Sequence, residues 1–308
     1  MKPAYRSSAS LALSLPLIAF TAVLLSACDD DSDSDYMEED TGVNRLVVSE
    51  DNAGTLAGLV LEQYDSLRYG VMQQQIYEAL GNVLDGGCLN GGVLLEPEGT
   101  PNPTLIQFDH CEYTTGNVAD GTVSLEYDGG ALTRLDAEAL RFEQTQSSDY
   151  VIVQKSQLDG GFDLVPGTGS DEVDFINIEA TLRLSGTLDG EDTPFLDLTM
   201  DYRGFDATSE YLSDGVDGRR LDGDLSFSGP LEGLVTVVTD TVLSFESDLY
   251  CPAGGSLTIT GGDGTSLSLN FGTPITVTIN GITADYDCDA FEEWMFSQMP
   301  SPPTSPGT

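Results

Sequence analysis

Phe175-Ile176-Asn177-Ile178-Glu179-Ala180-Thr181-Leu182-Arg183-Leu184 is the stretch whose reading decides the fold. From Ile176 to Leu184 every second residue is apolar, with Asn, Glu, Thr and Arg between them. A period of two belongs to an extended strand with one buried face and one wet face. A wet face in turn points to antiparallel sheet. Outward from this stretch the same alternation returns in Leu105–Phe108, Gly121–Tyr127, Tyr150–Gln154, Phe195–Tyr202 and Asp224–Ser228. It continues in Leu234–Val238, Thr241–Phe245, Ser256–Thr260, Ser266–Asn270 and Ile275–Ile279. Asp120-Gly121, Asp128-Gly129, Asp189-Gly190, Asp263-Gly264 and Asn280-Gly281 read as hairpin turns between such runs. Leu-Asp-Gly, at Leu84, Leu158, Leu188 and Leu221, reads as repeated hairpin use, too unevenly spaced for a solenoid.

The predicted fold is mainly β: a long antiparallel meander forming a curled sheet or open barrel, because a sheet of this length must hide its edges. A two-sheet β-sandwich is the alternative. Before the strands, Ala53, Leu56, Ala57, Val60, Leu61, Tyr64 and Leu67 recur at helical spacing, followed by Met72, Ile76, Leu80 and Val83. This predicts a helical segment over about 50–84, with Ser49 as its N-cap, a break near 66–70 and an end at Gly86-Gly87. Its apolar stripe is expected to cover the concave face of the sheet. Ala290–Met299 is expected to form a short helix that tucks Phe291, Trp294 and Met295 inward.

The chain opens with Lys2 and Arg6, an apolar run from Leu11 to Leu25, and Leu25-Ser26-Ala27-Cys28. A charged start, a short apolar core and a small-residue cleavage site make an export signal. The last four residues resemble the lipobox of bacterial lipoproteins. That resemblance implies cleavage before Cys28, a diacylglycerol on its sulfur and an N-acyl group on its new amino terminus; several acyl chains on one residue hold durably. Asp29 resembles the enteric signal for inner-membrane retention, but other bacteria sort differently, so inner versus outer membrane stays open. Asp29 to Asp40 is acidic, with no basic residue, and reads as a self-repelling spacer. The expected organisation is a signal peptide (1–27), an acidic disordered tether (28–44), a single β-rich domain (45–299) and a disordered tail (300–308).

Without a leader that carries Lys2 and Arg6, nine basic residues face 52 acidic ones, a formal charge of −43. That excludes nucleic acid, whose backbone needs a basic surface, and polybasic binding to anionic lipid. Setting Cys28 aside, four cysteines remain, and an even count in an oxidising compartment points to two disulfides. Four cysteines allow three pairings. The modules Cys88-Leu-Asn-Gly-Gly…Phe108-Asp-His-Cys111 and Cys251-Pro-Ala-Gly-Gly…Tyr286-Asp-Cys288 favour Cys88–Cys111 and Cys251–Cys288. A helix opening Asn52-Ala53, then C-x-x-G-G, then aromatic-Asp-x-Cys before a hairpin resembles a pattern in uncharacterised envelope lipoproteins, and implies no mechanism.

Catalytic machinery is sparse. His110 is the single histidine, and neither a nucleophile elbow, a P-loop nor a dinucleotide fingerprint is present. Carboxylate pairs are plentiful by chance, and Trp294 is the one tryptophan available to a sugar-binding cleft. The best local constellation is Asp214, Asp217, Asp222 and Asp224, Asp and Gly in a loop that offers oxygen ligands to calcium. The preferred reading of it is a solvated hairpin loop whose Arg219 and Arg220 pair with its own carboxylates. The chain is therefore expected to be a non-catalytic, lipid-anchored envelope protein without a cofactor, in a structural or protein-interaction role with an envelope protein partner. The alternative is a periplasmic-facing carrier or sensor of an apolar ligand, because periplasmic lipoprotein carriers also set helices across a curved antiparallel sheet.

Overall fold

A computed structural model describes residues 44–147, 151–168, 173–188, 196–213, 216–246 and 251–297. Its strands are β1 (Asn90–Glu96), β2 (Leu105–Thr114), β3 (Asn117–Asp128), β4 (Ala131–Ser147), β5 (Val151–Pro166), β6 (Val173–Leu188) and β7 (Leu196–Ser213). They continue with β8 (Val216–Ser228), β9 (Gly233–Glu246), β10 (Gly254–Thr260), β11 (Ser266–Phe271), β12 (Ile275–Ile279) and β13 (Ile282–Tyr286). All thirteen lie in one sheet in chain order, each antiparallel to the next. β1 and β13 are its two edges, so the sheet stays open. The β-sandwich alternative falls, because successive pairings run without interruption from one edge to the other. Leu234–Val238 and Thr241–Phe245, read as two strands, are two parts of β9.

The sheet is bent along a crease that crosses its middle strands. At His110, Ala139 and Asn177 the backbone turns left-handed, with φ of 46, 48 and 50°, and the ladder register slips. These are β-bulges, each adding a residue to one strand of a pair. The extra residue shifts the alternation by one, so Phe108 and Cys111, Ala137 and Leu140, and Phe175 and Ile178 are buried on the same side although three residues apart. Ile176 consequently lies only half-buried, and the simple alternation read in 175–184 breaks at Asn177.

A carboxylate from the neighbouring strand holds each bulge. The N–H groups of His110, Ala139 and Asn177 donate to Asp120, Asp159 and Asp206 at 3.2, 2.6 and 2.8 Å. Gly204 donates likewise to Glu179 at 2.7 Å, and Thr239 to Asp222 at 2.7 Å. Asp120-Gly121, Leu158-Asp-Gly160 and Leu221-Asp-Gly223 thus lie inside β3, β5 and β8, where the sequence reading placed hairpins. The Asp caps the bulge in one neighbouring strand, while the Gly admits the backbone of the other neighbouring strand. A Cβ on Gly121 would lie 2.3 Å from the Ala139 carbonyl oxygen, and one on Gly160 would lie 2.2 Å from that of Glu179. Asp128-Gly129, Asp263-Gly264 and Asn280-Gly281 are turns as read. Asp189-Gly190 falls outside the described residues, and Leu84-Asp-Gly86 ends a helix.

The helical segment runs through α1 (Ala53–Leu61), α2 (Gln63–Asp65), a π-helical stretch (Ser66–Tyr77) and α3 (Glu78–Gly86). It starts later than predicted. Ser49 caps no helix: its carbonyl accepts from Asn52 and Ala53, and its N–H donates to the Asn52 side chain at 2.9 Å. The expected break at 66–70 is a change of winding to i→i+5 bonding, not an interruption. At ~1.5 Å per residue the segment is roughly 50 Å long. Thirteen strands about 4.8 Å apart span roughly 58 Å, so one helix nearly underlies the full width. Its course is marked by Asp65 on Arg219 of β8, Gln63 on Tyr202 of β7, Gln75 on Ser156 of β5, and α3 against β2. α4 (Cys288–Ser297) closes the far end against α1, with Phe291 and Met295 buried and Trp294 stacked on Tyr286. Among the described residues no helix is long and apolar enough to cross a membrane.

Candidate functional site

Cys28, the lipobox, the acidic tether up to residue 43, the 300–308 tail and Asp214 lie outside the described residues. The remaining cysteines form the bridges Cys88–Cys111 and Cys251–Cys288, one within each sequence module. The first fastens the end of α3 to β2; the second fastens the start of β10 to α4.

The remaining calcium candidates do not converge. Asp217, Asp222 and Asp224 lie along β8, not in a loop. At ~3.3 Å per residue, Asp217 and Asp224 are roughly 20 Å apart. Asp222 is the cap of Thr239, and Asp224 accepts from the Thr236 hydroxyl at 2.6 Å. The two arginines leave the stretch as well: Arg220 lies 3.8 Å from Glu210, and Arg219 turns under the sheet.

Arg219 is what the sequence reading missed. Its guanidinium lies 4.6 Å from the Tyr64 ring centroid and 4.2 Å from that of Phe245, and Nη1 donates to Asp65 at 3.0 Å. Its Nε is buried without a hydrogen-bond partner. Cation–π contacts of this kind strengthen as water is excluded, so Arg219 joins the helix to β8 and β9. Burial pushes the Tyr64 hydroxyl up to about 12, despite the opposing pull of Arg68 and Arg219. Beside this latch a cleft of about 220 Å³ opens between Glu62, Asp65, Glu246, Pro252, Phe291 and Met295. Both carboxylates and apolar side chains line it.

Among the described residues, metal-type ligands converge at Asp109, His110 and Asp120, whose ligand atoms lie within 4.8 Å of one another. His110 Nδ1 is 3.6 Å from Asp109 Oδ1 and 3.4 Å from Asp120 Oδ1. Imidazole with two carboxylates suits a divalent transition ion. Asp109 and His110 stand in solvent, however, and Asp120 Oδ1 already holds the His110 N–H. This corner is a solvated polar cluster on the crease.

The inner face of the sheet is filled. Tyr64, Leu56, Ile106, Leu140, Phe142, Phe162, Ile178, Tyr202 and Phe205 are fully buried in one core cluster beneath the helix. Two of its buried polar groups answer one another: the Tyr202 hydroxyl donates to Gln63 Oε1 at 2.5 Å, and Gln63 Nε2 donates to the Leu59 carbonyl. Burial without a charged partner drives the Tyr202 pKa strongly upward.

No protein-family model matches the chain, and neither a curated protein nor a solved structure is similar to it.

Proposed function

We propose that the chain is exported, acylated on Cys28 and held at a bacterial envelope membrane, where its domain serves without catalysis as a structural and protein-interaction module. The observation that carries this reading is the occupied inner face: the protein's own helix lies where a carrier would hold its apolar cargo. Two disulfides suit an oxidising compartment outside the cytosol. Residues 29–43, at no more than ~3.5 Å each, keep the domain within about 50 Å of the bilayer. The alternative, carriage of an apolar ligand, requires the helix to leave the sheet and expose its core.

Native mass spectrometry of the protein extracted from its membrane tests both readings. Apo mass plus one triacylated cysteine supports the interaction module. A co-purifying lipid lost on denaturation supports the carrier, and an unmodified Cys28 sinks the anchored reading.

A further inference from the structure

The two edges of the sheet differ. β1 is irregular: Gly91 turns left-handed at φ 79° and the register slips between Asn90 and Gly92, the kind of bulge that blunts an edge. β13 pairs in unbroken register with β12 from Ile279↔Ile282 to Ile275↔Tyr286. Residues 282–285 are exposed, and Ile282 at 66% is the most exposed large apolar side chain among the described residues. With the two-residue turn Asn280-Gly281, Ile279 and Ile282 form the narrow hydrogen-bonded pair, and such pairs alternate from there. Thr283 and Asp285 therefore direct their N–H and C=O groups away from β12, along an edge that nothing among the described residues pairs.

We propose that β13 is a strand-addition site, which takes an extended segment of another protein with alternating apolar and basic side chains. This rests on the reading of the chain as an interaction module and names its surface. The side chains specify the occupant. Ile282, Ala284 and Tyr286 lie on the face that continues Ile279, Val277 and Ile275, so alternate residues of the added strand are apolar. Thr283 and Asp285 lie on the other face, where Asp285 presents a carboxylate in a strongly acidic chain. Residues of the added strand on that face are basic. A second copy is disfavoured as the occupant, because each chain carries a formal −41 and would bring like charges together.

The probe is a short synthetic peptide of alternating valine and lysine, titrated against the full-length protein in detergent at physiological salt. Its counterpart carries N-methyl groups on one backbone edge, with the same charge but no N–H donors along that edge and methyl groups in the way of close pairing. Thr283→Pro removes an N–H that faces solvent, which an edge tolerates, and sets a ring in the path of the incoming strand. The expected result is saturable binding of the first peptide, weakened about tenfold or more by either N-methylation or Thr283→Pro. Unfolding temperature stays unchanged. Asp285→Lys, which leaves the backbone edge intact, weakens binding several-fold. Equal binding of both peptides, or binding indifferent to Thr283→Pro, means bulk charge attraction and overturns the proposal. No binding overturns it too. Self-association of the wild type that Thr283→Pro abolishes makes a second copy the occupant and overturns the assignment to another protein. If envelope crosslinking places a partner on a different surface, the interaction-module reading stands and this site falls.

Discussion

The bent part of the sheet, β2 to β9, sets Asp-Gly pairs inside its strands, whereas the regularly paired end, β10 to β13, keeps its Asp-Gly at a turn. In the bent part Asp120-Gly121, Asp159-Gly160 and Asp222-Gly223 sit in the middle of strands, where the Asp caps one neighbour's bulge and the Gly admits a carbonyl of the other neighbour, while Asp128-Gly129 turns the chain from β3 to β4. At the regularly paired end Asp263-Gly264 reverses the chain in open space, with nothing near the glycine. The lesson is that Asp-Gly marks a left-handed backbone position, and what the flanking strands do decides whether the chain turns or bulges there.

Valine placed in the two regions would break that comparison most sharply. Gly160→Val drives a side chain into the Glu179 carbonyl and is expected to cost more than about 4 kcal/mol, or to prevent folding. Gly264→Val meets only the strain of a positive φ, about 1–2 kcal/mol. Urea denaturation midpoints compare them, and equal losses would remove the crease as a structural device.

The disulfides sharpen the comparison from the side, since one braces the bent region and the other the regularly paired end. They close 23 and 37 residues, so the chain-entropy estimate gives about 3–4 kcal/mol for each. Cys88→Ser/Cys111→Ser and Cys251→Ser/Cys288→Ser are expected to lose similar stability by chemical denaturation, the second pair slightly more. A negligible loss for either pair would mean that its region is held by packing alone.

A smaller effect is expected from the caps. Asp159→Ala leaves the Ala139 N–H unanswered and is expected to cost about 1–3 kcal/mol. Asp263→Ala in the exposed turn is expected to cost about 0.5 kcal/mol or less. If both mutants melt together, the carboxylates do not hold the bulges.

The smallest effects come with pH. Asp163 accepts hydrogen bonds from Asn177 and Arg134, which hold its carboxyl below the usual range, Asn177 more than Arg134. A lowered folded pKa contributes stability that is present above the unfolded value near 4 and is lost as pH falls through the folded value. Asp163→Asn should therefore flatten the acid limb below about pH 4, and an unchanged limb would dismiss the contribution. At the other extreme, burial raises Tyr64 to about 12 and Tyr202 further. Their contribution is present below about pH 10 and is lost as pH climbs through the raised values. An alkaline unfolding titration should fall earlier for the wild type than for Tyr64→Phe.

Most strands, their meander order and a helix across the sheet were legible because period-two alternation and helical spacing are local signals, whereas β1, β4 and β13 were not read as strands. The crease was half legible. Val118-Ala-Asp-Gly-Thr-Val-Ser-Leu contains an Asp-Gly with strand-like residues close on both sides, but choosing bulge over turn needs the neighbouring strand. Ser49 misled because a capping residue followed by acids also makes an isolated turn, and here Asn52 competes for its N–H. Arg219 was illegible as a latch: Asp65 is 154 residues away, and no local pattern joins them. Alternation shows which face of β8 is buried, not which distant ring the guanidinium meets.

The packing of α1 against α4 has a consequence for biogenesis. Ribosomes deliver the chain from its amino end, and about 235 residues separate the first turn of one helix from the first turn of the other. At ~5–20 residues per second, the early apolar stripe waits roughly 10–50 s for its last neighbours. A holdase that shields Leu56, Val60 and Tyr64 during synthesis is therefore expected to raise the yield of native protein, and a chain cut short before Phe271 would be a ready substrate for proteases.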